Sequence, residues 1–100
     1  MYDMSNLKKL GALGEGASQA MEAFWAFDKA ALADGAVPKK YKELIAVAVA
    51  LTTQCPYCLE LHQKAAKGAG ATQAEIAETA LVVAALRAGA AVTHATHVIG

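Results

Sequence analysis

The sequence predicts an all-α fold of five or six helices. Only two prolines and eight glycines interrupt the 100 residues, and they fall between stretches of helical periodicity. About a quarter of the residues are alanine, the strongest helix former. Only one segment alternates like a strand, Ile45-Ala-Val-Ala-Val-Ala-Leu51. Its alanines, and the Pro38 start followed by KKYKEL, favour helix there as well.

The elements follow in order. Residues 5–12 read as a short amphipathic helix carrying Leu7 and Leu10, and Gly14 and Gly16 then loosen the chain. From Ala17 to about Ala33, Met21, Phe24, Trp25, Phe27 and Leu32 fit a 3.6-residue period, and Phe24, Trp25 and Phe27 are expected in the core or at a subunit contact. Asp34-Gly35 would end that helix, with Gly35 as a left-handed cap. Pro38 suits the first turn of the next helix, which would run to about Thr53. Cys55-Pro-Tyr-Cys58 opens a helix to about Lys67, stopped by Gly68 and Gly70. Thr72-x-x-Glu75 has the form of a capping box and starts a helix reaching Gly89, followed by an apolar segment to Ile99.

Length and composition bound the function classes. One hundred residues make one domain, residues 1–100, and a chain this short buries only about 60–65% of its unfolded surface. Yet 56% of it is hydrophobic and only 18% charged, more apolar surface than a small monomer can hide. Several copies are therefore expected to share their apolar faces. Nine basic and nine acidic residues cancel, which leaves no basic footprint for nucleic acid. The Lys39–Lys40 cluster with Lys42 reads as the solvated first turn of a helix. No signal peptide is visible near the start, and the run Leu44–Leu51 is far shorter than the ~20 residues of a membrane helix. The later run from Ile76 to Val92 is interrupted by Glu78 and Arg87. A cytoplasmic protein without membrane association is the expectation, and in that compartment two neighbouring cysteines point to redox or metal chemistry.

The chemistry-bearing residues are Glu43, Cys55, Cys58 and His62. A thiol is a nucleophile only as thiolate, and a helix N-terminus stabilises that charge. Two intervening residues let the sulfurs of Cys55 and Cys58 bridge, while Pro56 costs no hydrogen bond in the first turn. His62 follows Cys58 by four residues and shares its helix face, where an imidazole can exchange protons with a thiol. Glu43 lies on the preceding helix. If the two helices form an antiparallel hairpin, it can face His62 and orient it. Tyr57, between the cysteines, reads as a packing side chain that would stand beside the substrate. His94 and His97 read as surface residues. Cys55, Cys58 and His62 could instead supply three zinc ligands, with His94 and His97 the other obvious donors.

Cys-Pro-Tyr-Cys also occurs in glutaredoxins, but that fold needs a strand before the motif and a cis-proline after it, and no proline follows Pro56. The pattern Glu43-x11-Cys55-Pro-Tyr-Cys58-x3-His62 instead resembles the alkyl hydroperoxidase D-like branch of the carboxymuconolactone decarboxylase superfamily. The flanking KELIAVAVALTTQCPYCLELHQKAAKGAGAT looks like that family's helical-hairpin core, and the likeness extends over roughly residues 20–97. The resemblance implies an all-α bundle with a central hairpin carrying the cysteines, assembled as trimers or hexamers. It implies a thiol-dependent peroxidase or disulfide reductase acting on hydroperoxides. Cys58 would attack the peroxide, Cys55 would resolve it to a redox-active disulfide, and Glu43 and His62 would relay protons. No further cofactor is implied, but an external dithiol reductant is. Two departures stand out: the family proper often has histidine where this chain has Tyr57, and its members are commonly longer, with two related halves. The decarboxylase branch generally lacks the cysteine pair. Lactone decarboxylation and a zinc-bound structural oligomer are the alternative readings.

Overall fold

The computed structural model describes residues 2–100, and all its regular elements are helical. A 3-10 turn (Met4–Lys9) leads into α1 (Leu10–Gly16), followed by α2 (Ser18–Leu32), α3 (Lys39–Thr53), α4 (Pro56–Gly68), α5 (Gln73–His94) and a final 3-10 turn (Ala95–His97). The alternating run Ile45–Leu51 lies wholly within α3.

The α3–α4 hairpin is the centre of the molecule. Gln54 ends α3 in the left-handed region (φ 56°, ψ 47°), and the Ala50 carbonyl accepts from the amides of Gln54 and Cys55. The chain thus reverses within two residues and enters α4 directly, because Pro56 can occupy the first helical position without losing a donor. The α4 exit uses Gly70 at φ 98°, which brings the Ala71 amide back onto the Ala66 carbonyl at 2.9 Å. The expected capping box forms: Thr72 Oγ1 accepts from the Glu75 amide at 3.1 Å, and Glu75 Oε1 accepts from the Thr72 amide at 2.8 Å.

Four boundaries differ from expectation. Residues 4–9 form a 3-10 turn and the α-helix follows as Leu10–Gly16, so Gly14 and Gly16 lie inside it instead of loosening the chain after a helix over 5–12. Gly35 has no positive φ, and α2 ends on an extended Ala33 instead. The carbonyls that a left-handed turn would have satisfied are taken by lysines of α3: Lys39 Nζ donates to Leu32 O at 3.0 Å and Lys42 Nζ to Ala33 O at 2.6 Å. Pro38 is the extended N-cap rather than the first helical residue, and the Asp34 carboxylate accepts from the Lys39 amide. Gly89 does not stop α5, which runs on to His94, since one mid-helix glycine costs only about 1 kcal/mol.

The interior is small. Leu44, Ala66 and Ala71 form its core with Ile76 packed against them, and Val47 and Ala50 are buried beside it on α3. Helix α5 buries none of its residues, and Leu81, Leu86 and Val92 each expose more than two thirds of their surface. Phe24, Trp25 and Phe27 lie outside the core, exposed on α2. The segment Gln73–His97 is long and apolar enough to span a bilayer by length and composition alone, with a mean hydropathy of 1.5. Polar ties nevertheless hold α5 to α3: Glu75 pairs with Lys40 at 2.9 Å, and Arg87 donates to the Thr52 carbonyl at 2.9 Å.

Candidate functional site

The hairpin brings the predicted residues together. Cys55 is the N-cap of α4, with an extended backbone (φ −97°, ψ 100°), and its Sγ accepts from the Cys58 amide at 3.3 Å. Both cysteines are partly buried free thiols. One turn further, His62 Nδ1 lies 2.6 Å from Glu43 Oε2 on α3. Glu43 is thus the buried charged residue at the hairpin interface, not a solvated one.

A carboxylate only accepts hydrogen bonds, so the hydrogen between them belongs to His62 Nδ1, and in the tautomer this selects Nε2 is the nitrogen that can carry the lone pair. The second carboxylate oxygen is also held. Lys39 Nζ lies 2.9 Å from Glu43 Oε1, four residues earlier on the same helix. The Glu43 side chain is 3% exposed and the Lys39 side chain 42%. Burial pushes the Glu43 carboxyl up, but hydrogen bonds from Lys39 and then His62 outweigh it and hold the group below the ordinary value of 4.5.

The two thiols are pushed in opposite directions. A hydrogen bond from the Cys58 side chain, and then one from the Cys58 amide, lower Cys55 below the ordinary 9.0. Cys58 donates that bond, is partly desolvated and faces the charge on Cys55, so it rises to about 11. In the dithiol form the first negative charge therefore settles on Cys55 and the proton stays on Cys58.

Cys58 and His62 line one side of a cavity of about 630 Å³ between α2, α3 and α4. Phe27, Leu32, Val49 and Ala50 supply apolar walls, and Asp28 and Thr53 add polar groups. Tyr57 does not line it. Its hydroxyl accepts from Asn6 Nδ2 at 3.0 Å, and its ring meets Tyr2 edge-on at 5.0 Å. The N-terminal segment thereby rests on the helix that starts at the cysteines, and Tyr2 also reaches Glu60 at 2.9 Å. His94 and His97 are exposed, with ring centroids 5.4 Å apart. Among the described residues, no three His, Cys, Asp or Glu side chains gather in a metal-ligating group.

Lys39 is the participant that sequence reasoning missed. Its cluster forms the solvated first turn that was expected, but Lys39 also holds Glu43, Lys40 holds Glu75, and Lys42 holds a carbonyl of the α2–α3 link. The i,i+4 spacing of Lys39 and Glu43 was the available signal.

Comparison with known proteins decides the family. The carboxymuconolactone decarboxylase family model matches residues 18–99. The chain belongs to this family. An alkyl hydroperoxidase D-like assignment within the superfamily is consistent with that match. Among curated proteins, an uncharacterised protein of the cox locus of Paracoccus denitrificans is 52% identical over 99 residues, covering 95% of this chain and 88% of that protein. An uncharacterised protein of Cupriavidus necator is 42% identical over 71 residues, covering 71% and 63% of the two chains. Among solved structures, the apo form of a carboxymuconolactone decarboxylase family protein from Legionella pneumophila superposes with a TM-score of 0.76 at 33% identity, covering 82% of this chain and 73% of that one. A protein from Methanobacterium thermoautotrophicum gives a TM-score of 0.79 at 34% identity, covering 86% and 97%.

Proposed function

We propose that this family member is a cytoplasmic, homo-oligomeric thiol peroxidase that reduces hydroperoxides through Cys58 and Cys55 at the expense of an external dithiol. The observation that supports it best is the 2.6 Å Glu43–His62 contact beside the cavity that Cys58 enters. A thiol at about 11 is a poor nucleophile near neutral pH, so Cys58 needs a base to remove its proton. His62, held through Nδ1 by Glu43, offers Nε2 for that purpose.

In the proposed cycle His62 takes the Cys58 proton, and the Cys58 sulfur attacks one peroxide oxygen. The S–O bond forms as the O–O bond breaks, and the departing alkoxide recovers the proton from His62 and leaves as the alcohol. Cys58 is now a sulfenic acid. The Cys55 thiolate attacks the Cys58 sulfur, the S–S bond forms, and the oxygen leaves as water with one more proton. An external dithiol then gives two electrons and two protons to the disulfide and is itself oxidised. The apolar walls of the cavity suit an organic hydroperoxide. The exposed faces of α2 and α5 suit assembly as a trimer or hexamer.

Dithiothreitol-supported consumption of cumene hydroperoxide tests this. Wild type should turn over and Cys58→Ser should lose the activity, whereas wild-type turnover in Cys58→Ser would rule the mechanism out. A second reading has its own support, because the Cys55 thiol is lowered and ionises before Cys58, which favours it as the nucleophile toward a disulfide. As a disulfide reductase, the protein would form a mixed disulfide through Cys55. Cys58→Ser would then trap a disulfide substrate and Cys55→Ser would not. Decarboxylation of a lactone, the reaction in the family's name, leaves sulfur unchanged, so only that activity would survive a Cys55/Cys58 double variant.

A further inference from the structure

We propose that Lys39 is a positioning residue for the Glu43–His62 pair, holding the carboxylate so that one chosen oxygen faces the imidazole. The proposal rests on the peroxidase reading of the site. The start of α3 breaks a local rule. Helix α3 begins Lys39-Lys40-Tyr41-Lys42 with no acidic residue in its first turn. Cations there oppose the helix dipole, and lysine preceding glutamate by four residues is the weaker order for a helical ion pair. Such breaks are retained where another requirement outweighs them.

That requirement is visible around the ammonium group. Lys39 Nζ reaches Glu43 Oε1 at 2.9 Å and the Leu32 carbonyl at 3.0 Å, while its own amide donates to the Asp34 carboxylate. Lys39 therefore joins the end of α2, the connecting loop and the carboxylate. A surface ion pair adds little by itself. Here, however, one partner is a carboxylate that is 3% exposed, and removing a partner of a buried charge is far more costly than losing an exposed pair. With Oε1 occupied by Lys39, Oε2 is the oxygen left to accept from His62 Nδ1. Lys39 touches neither thiol nor cavity. It acts through Glu43, which fixes the ring tautomer and aims Nε2.

Two readouts separate this role from general support of the fold. The first is the tautomer of His62, read from nitrogen-15 spectra of the imidazole. Wild type and Lys39→Arg should show the Nδ1-protonated ring, since arginine keeps the charge and reach. Lys39→Met should show a mixture. The second is peroxide turnover. Lys39→Met should lower kcat by about ten- to a hundredfold, the size of loss seen when outer partners that orient a functional imidazole at metal centres are removed, with KM little changed and Lys39→Arg restoring most of the loss. An unchanged tautomer in Lys39→Met overturns the proposal, as does an unchanged kcat or a loss that Lys39→Arg does not relieve. Should Lys39→Met fail to fold by circular dichroism, Lys39→Gln in the same two assays decides. Wild type without peroxidase activity would sink the function and leave the tautomer measurement to judge Lys39 alone.

Discussion

At the scale of single residues, the site rests on a difference between two neighbouring sulfurs. Cys55 caps the helix and takes the first negative charge, while Cys58 keeps its proton up to about 11. Brief iodoacetamide labelling near neutral pH, followed by peptide mass spectrometry, should therefore modify Cys55 well ahead of Cys58. Equal labelling would contradict the ordering. Glu43 carries a second residue-level consequence. Because its folded carboxyl lies below 4.5, ionised Glu43 stabilises the fold above that pH, and the contribution disappears as pH falls through the lowered value. Thermal melts across acidic pH should show this loss in wild type and a flatter profile in Glu43→Gln. Parallel profiles would show that Glu43 contributes nothing to acid stability.

At the scale of elements, the α3–α4 hairpin converts sequence spacing into chemistry. Its reversal depends on Gln54 in a left-handed conformation that a β-branched side chain adopts poorly. Gln54→Val should lower the denaturation midpoint, and Gln54→Gly should raise stability by about 1 kcal/mol by removing the left-handed penalty Gln54 already carries, while an unchanged midpoint in both would show that the turn is indifferent to the side chain. The helices around the site were legible in advance because their signals are local: the proline-marked start of α4, the Cys58–His62 spacing on it and the Thr72–Glu75 box that opens α5, whereas the pairing of α3 with α4 entered only as a condition and through the resemblance. Where the partner lies on another element, the local text was silent. Gly35 looked like a left-handed cap until lysines from the next helix satisfied the α2 carbonyls. The hold of Lys39 on Glu43 went unread because the burial of Glu43 depends on α4 packing across it.

At the scale of the whole molecule, one chain leaves much apolar surface uncovered. Its radius of gyration is 16.8 Å, against about 13 Å for a compact domain of this length. Its extents of 52 × 35 × 29 Å reflect long helices with little between them. In the proposed homo-oligomer, the exposed Leu86 and Val92 on α5 and Phe27 on α2 are the surfaces offered to further copies. Sedimentation velocity should find a species several times the 10.3 kDa chain mass, and Leu86→Glu should shift it toward smaller species. A wild-type monomer would overturn this. Composition alone foretold uncovered apolar surface, but it could not say that α5 would bury none of its residues.

In the proposed cycle a peroxide drives Cys58 and Cys55 into a disulfide with protons handled by His62 and Glu43. Intact-mass spectrometry after adding one equivalent of cumene hydroperoxide to the fully reduced protein tests it without a reductant partner. Wild type should rapidly lose two hydrogens per chain, mapped to a Cys55–Cys58 bridge, and Glu43→Gln should lose them much more slowly. A chain that keeps both thiols, or that oxidises equally fast without Glu43, would contradict it.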